Sequence, residues 1–162
     1  MEKPVPYNPL DKKHLGESVA SALLQQPICP LPPERFFGAG IYAIYYTGSF
    51  EAYQPIAIKN RNKRYRIPIY VGKAIPSGAR RGGKGLDSIA GAVLHRRLVE
   101  HGETIKAAQS LDIKDFTCRY LVVDDIWIPL GESLLIETHS PVGNSIVDGF
   151  GNHDRGNGRY QQ

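Results

Sequence analysis

Apolar residues recur along this chain in three short dense runs and, around them, at the wider spacing of helices. Ile41 to Tyr46 is crowded with β-branched and aromatic residues and is ended by Thr47-Gly48, which predicts a strand. Arg66 to Val71 predicts a second strand, closed by Gly72. Phe116 to Val123 alternates Phe116, Cys118, Tyr120 and Val122 and predicts a third. Leu15 to Leu24 has helical spacing, with Val19, Ala22 and Leu23 on one face. A longer helix is expected from an N-cap at Asp87 or Ser88 to His101. Ile89, Val93, Leu94 and Leu98 supply its apolar side and Gly102 takes the C′ position. Gly131 to His139 predicts a short helix that Pro141 stops.

Between these elements the pattern is polar. Residues 1–13 read as an arm, and 26–33, with Pro27, Pro30, Pro32 and Pro33, as a linker or extended wrap. The first two strands predict an antiparallel pair joined by a long insertion, 49–65, which carries Lys59, Arg61, Lys63 and Arg64. Residues 75–86 predict an unpacked glycine- and arginine-rich loop with Arg80, Arg81 and Lys84. The tail from Ser145 to Gln162 is glycine-rich and irregular, and no internal repeat is present.

Composition narrows the class. A chain of 162 residues with 41% hydrophobic content is one domain with a modest core. It has no run of about 18 apolar residues, so no transmembrane helix is expected. The stretch Met1 to Leu10 lacks the apolar segment of a secretion signal. Cys29 and Cys118 are too few and too far apart for a disulfide framework, which points to an intracellular protein with buried thiols. A net charge of +4 is compatible with a nucleic-acid partner without requiring one.

Several residues have the chemistry of phosphodiester hydrolysis. That reaction needs a proton acceptor for water, a cation on the phosphate oxygens and positive charge for the transition state. Arg97 and His101 lie four apart and share a helix face, where a guanidinium can hold a phosphate oxygen in two bonds. Arg96 is the ordinary solvated alternative. Glu132 offers the hard oxygen that Mg²⁺ prefers, and one carboxylate is enough for an ion that keeps several waters. Glu137, Asp124 and Asp125 compete for that role, and an acid near a helix start also simply complements the dipole. Tyr42 and Tyr70 are ordinary core aromatics unless cations surround them, because a free phenol ionises near pH 10. Arg97, His101, Lys73 and a metal would supply such surroundings. His139 and His153 have no partner at zinc spacing. Lys84 is followed by Gly85 rather than Ser or Thr, so no phosphate loop and no nucleotide cofactor are expected.

Taken in order, these pieces resemble one known signature. Gly40-Ile41-Tyr42 and Tyr70-Val71-Gly72, then Arg97 with His101, Glu132-Ser133-Leu134-Leu135-Ile136 and Pro141-Val142-Gly143-Asn144 resemble the motifs of the GIY-YIG nucleases. Longer stretches resemble one branch, the type II restriction endonucleases that recognise CCGCGG. They are Leu31 to Phe36, Gly38 to Ala43 with Tyr45 to Gly48, Pro68 to Ala74, and Asn144 to His153. The resemblance implies an α+β fold with a small three-stranded antiparallel sheet flanked by helices. It implies a nuclease domain over 31–162, with an N-terminal arm and short helix at 1–30 and DNA-binding insertions at about 49–65 and 75–86. It also implies one Mg²⁺ or Mn²⁺ and a homodimer that cuts double-stranded DNA at a palindromic site in a bacterial cytoplasm. Tyr42 would be the general base, aided by His101 and Tyr70. Arg97 would hold the scissile phosphate, Glu132 the metal, and Asn144 would position the site. Lys59, Arg61, Lys63, Arg64, Lys73, Arg80, Arg81 and Lys84 are candidate DNA contacts. Members of that branch continue beyond the Gly156 to Arg159 stretch, and a tail that wraps DNA or joins subunits would change affinity or specificity. The competing expectations are a structure-selective nuclease of repair or mobile elements and a DNA-binding protein without catalysis.

Overall fold

The computed structural model describes residues 2–76 and 91–145. Its centre is β2 (Gly40–Tyr46), in which every residue is buried. A strand with no polar face must be covered on both sides, and the chain supplies a layer for each. β2 pairs on one side with β3 (Tyr70–Ala74) and on the other with β4 (Phe116–Val122). β4 is flanked in turn by β1 (Cys29–Pro30), so the sheet has four strands in the order β1-β4-β2-β3, all antiparallel. The expectation of three strands is thus corrected. The fourth lies in the proline-rich segment expected to be a linker or extended wrap, where two residues suffice to pair Cys29 with Cys118 and Pro30 with Thr117. Proline has no N–H for a ladder and fits only such an edge.

Alternation along β2 separates the two layers. Tyr42, Ile44 and Tyr46 join a core with Ile56 and Ala57 of α2 (Gln54–Asn60) and Leu94, Leu98 and Ile105 of α3 (Val93–Ala107). Ile41, Ala43 and Tyr45 join a second core with Ala20 and Leu23 of α1 (Lys12–Leu24) and Ile128 and Leu135 of α4 (Ile128–His139). α1 and α4 meet through glycine. A Cβ on Gly131 would strike Val19 Cγ1 at 2.5 Å, and one on Gly16 would lie 3.1 Å from the Leu130 carbonyl oxygen. The buried face of α1 is therefore Gly16, Ala20 and Leu23, with Val19 half-buried, rather than Val19, Ala22 and Leu23.

Other boundaries move for identifiable reasons. The second strand spans Tyr70–Ala74, so Gly72 lies within it rather than closing it. α3 continues past Gly102 to Ala107, and the glycine serves a contact instead of an end: a Cβ there would lie 3.3 Å from Pro32 Cδ. The expected N-cap at Asp87 or Ser88 lies outside the described residues. α4 begins at Ile128 with Pro129 in its first turn, earlier than Gly131. The insertion at 49–65 is partly core. It holds α2, and fully buried Asn60 donates to the Tyr46 and Ile67 carbonyls at 3.1 and 2.8 Å and accepts from the Ile67 N–H at 2.9 Å.

Candidate active site

Tyr42 sits at the centre of the site because of the residues opposite it. In the register it faces Gly72 on β3 and Tyr120 on β4. A Cβ at position 72 would run into the Tyr42 hydroxyl, lie 2.6 Å from its Cζ and 2.8 Å from Tyr70 Cε1. The bare glycine backbone therefore makes the slot in which the Tyr42 ring lies. At the strand's start a Cβ on Gly40 would collide with the Leu121 carbonyl oxygen, so glycine is required there to pair with β4. Tyr120 is backed by Phe36, whose ring is stacked on it at 3.9 Å.

α3 brings the polar partners. The Tyr42 hydroxyl lies 2.6 Å from His101 Nε2, with both residues buried. The His101 ring also packs against Tyr70, with centroids 4.7 Å apart. One turn earlier, Arg97 is tucked against the protein, its side chain 12% exposed and its guanidinium 3.3 Å from Glu100 Oε2, whereas Arg96 is exposed. Burial first, then the neighbouring Tyr70, pushes the Tyr42 phenol well above its ordinary value of 10.0. The charge of Arg97 and a hydrogen bond from it act the other way without offsetting burial.

β3 is the sheet edge on which a second set of groups converges. Lys73 Nζ contacts Glu132 Oε1 at 2.7 Å. Glu132 lies one turn into α4 and is not a first-turn dipole partner; its side chain is 16% exposed, while Glu137 is exposed. Beside this pair lies a cleft of about 410 Å³ whose lining includes Lys73, Arg96, Arg97 and Glu100. Three cations at one opening make it attractive to a phosphate. Asn144, in the short helix α5 (Val142–Ser145), binds the outer side of β3 at both polar groups of one residue. Its Oδ1 accepts from the Val71 N–H at 2.9 Å and its Nδ2 donates to the Val71 carbonyl at 2.6 Å. The Gly143 N–H adds a bond to the Ile69 carbonyl at 2.7 Å. Asn144 therefore acts on the strand that carries Tyr70, Gly72 and Lys73.

Two glycine-containing triplets on paired strands, with a buried tyrosine–histidine contact beneath a basic cleft, agree with the sequence comparison. Residues 34–162 match the family model described as the Eco29kI GIY-YIG domain. The chain belongs to this family. No curated protein matches the chain.

The GIY-YIG nuclease domain is α+β, and its substrate class is DNA. Among the described residues no helix is long and apolar enough to cross a membrane. The structure brings together Tyr42, Tyr70, Arg97 and His101 on the α3 side of the sheet, and Lys73 with Glu132 at its edge. It does not bring Lys59, Arg61, Lys63 and Arg64 to the cleft. They are exposed, and they follow the Tyr46 end of β2, whereas the cleft opens beyond its Gly40 end, roughly 20 Å along the strand. Arg61 also closes its own loop, donating to the Gly48 carbonyl at 3.1 Å and Gln54 Oε1 at 2.8 Å. Arg80, Arg81 and Lys84 lie outside the described residues. Sequence reasoning passed over Tyr120, Glu100 and the slot-forming role of Gly72. Register would have been needed to find the first and last.

Among the described residues no three His, Cys, Asp or Glu side chains gather as a metal cluster. Glu132 alone nevertheless fits a hard cation. It is a largely covered carboxylate already neutralised by a cationic group, beside a cleft open to solvent, and Mg²⁺ completes its shell with waters and phosphate oxygens.

Proposed function

We propose that this protein is a divalent-metal-dependent type II restriction endonuclease that acts as a homodimer on double-stranded DNA at a palindromic, GC-rich site. CCGCGG is the site that the resemblance implies, and a bacterial cytoplasm is the corresponding setting. The observation that carries the reading is the buried Tyr42–His101 contact, 2.6 Å long, behind a cleft lined by Arg97. A buried structural tyrosine needs a hydrogen-bond partner for its hydroxyl but no cationic opening beside it.

Tyr42 acts here as a relay rather than as a standing phenolate. Its raised pKa keeps the phenol protonated at neutral pH. The relay requires the His101 tautomer whose ring proton is on Nδ1, so that Nε2, 2.6 Å away, accepts from the hydroxyl. As Tyr42 takes a proton from the attacking water, its own passes to His101, so no buried anion forms. Arg97 holds a non-bridging phosphate oxygen and stabilises the developing charge. Glu132 would hold Mg²⁺ or Mn²⁺, which supplies Lewis-acid polarisation of the phosphate when bound. Asn144 fixes β3, and through it Tyr70 and Lys73, against α5. Glu132→Gln tests the metal role: cleavage is lost by several orders of magnitude while DNA binding persists. Near-native turnover in that variant at ordinary Mg²⁺ would refute it.

A further inference from the structure

The edge pair Lys73–Glu132 has a consequence for how the cation loads. The 2.7 Å contact is the length of a charge-assisted hydrogen bond. Its two ends differ in freedom. The Glu132 side chain is 16% exposed, so its carboxylate has lost most of its water and needs a positive partner. The Lys73 side chain is 39% exposed and belongs equally to the cleft that Arg96 and Arg97 line. Its ammonium is a mobile point charge on a flexible stem and can change partner at little cost.

We propose that Lys73 is a built-in competitor for the cation site. Its ammonium holds Glu132 until a divalent ion takes the carboxylate, so the DNA-free protein binds that ion weakly. This rests on the reading of Glu132 as the cation-holding residue. A divalent cation and an ammonium cannot both sit on Oε1, because like charges at hydrogen-bond separation repel strongly beside a covered carboxylate. A phosphate in the cleft, which Arg97 also lines, offers the ammonium another anion. Substrate thereby draws Lys73 away and frees Glu132, which ties cation loading to DNA occupancy. Lys73 is in this sense a positioning residue for the metal.

The test is a Mn²⁺ titration of the DNA-free full chain, read by the loss of the free-ion electron paramagnetic resonance signal. Lys73→Met keeps the stem and removes the charge, and is expected to bind Mn²⁺ about two- to fivefold more tightly, since an ion pair of this exposure is worth about that factor. Lys73→Gln serves as a second neutral variant should the first fail to fold. Lys73→Arg restores a cation and should stay within about twofold of the native protein. Glu132→Gln should lose the site. If both neutral variants bind no more tightly than native while Glu132→Gln loses binding, Lys73 is not a competitor and the proposal is overturned. If Glu132→Gln binds as native does, the ion is held elsewhere, and the reading of Glu132 fails along with the proposal built on it.

Discussion

At the scale of single residues, the proposed activity depends on one hydroxyl and one guanidinium. Tyr42→Phe keeps the ring in its glycine slot and removes only the Oη that meets His101. Cleavage is expected to fall at least about 100-fold, with stability lowered by no more than the loss of one partner of a buried hydrogen bond costs, about 1–3 kcal/mol. A melting curve beside a plasmid assay separates the two. Arg97→Ala should cost activity on a similar scale, with Arg96→Ala much milder, because Arg97 is the one in contact with Tyr42. The reverse order would assign the phosphate contact to Arg96 and to the exposed face of α3. Cys118 yields a pH prediction. Burial, and then Cys29, pushes its thiol from 9.0 up to about 12. The folded state therefore keeps a proton that the unfolded chain releases above pH 9. The stability is fully present below that pH and falls by about 1.4 kcal/mol per unit as pH rises towards the folded value. Denaturation midpoints of the native protein and Cys118→Ala between roughly pH 8 and 11 should show the smaller slope in the variant.

At the scale of elements, α5 on the edge of β3 is the contact that sequence reasoning understated. Asn144→Ala leaves the Val71 N–H and carbonyl without their partner, and is expected to cost about 1–3 kcal/mol and to lower cleavage by loosening the strand that carries Tyr70 and Lys73. Asn144→Asp keeps the acceptor but sets a carboxylate against the Val71 carbonyl, so it should be no better than alanine. Full activity in both variants would leave Asn144 without a role in the site. The elements themselves were largely legible. Dense β-branched and aromatic runs located β2 and β4, and helical spacing located α1, α3 and α4. What misled was glycine. Gly102 read as a helix end and is a contact with Pro32; Gly72 read as a strand end and is the slot for Tyr42; Gly16 and Gly131 carried no hydrophobic signal and are where α1 meets α4. Close approach depends on what lies opposite, and a single sequence does not display that. The same holds for β1, which is too short and too proline-rich to announce itself.

At the scale of the whole molecule, the sequence showed which polar residues to consider, and topology showed which of them meet. The Tyr42, Arg97 and His101 set and the Lys73–Glu132 pair come from opposite faces of the sheet and converge because β3 is an edge. The basic loop with Lys59, Lys63 and Arg64 stands at the other end of β2, and its proposed part is to follow the DNA backbone away from the scissile bond. Each true phosphate contact removed by alanine there should flatten the slope of log affinity against log salt by about one unit, with sequence choice unchanged. An unchanged slope would return these residues to plain solvation. The most direct test of the central claim is to incubate the protein with plasmid DNA and Mg²⁺, with EDTA and Tyr42→Phe as controls, and to sequence the cut ends. A nuclease of the proposed kind gives discrete fragments whose ends map to one palindromic sequence, and neither control cuts. Nicks that track DNA structure rather than sequence, or binding without any cleavage, would contradict it.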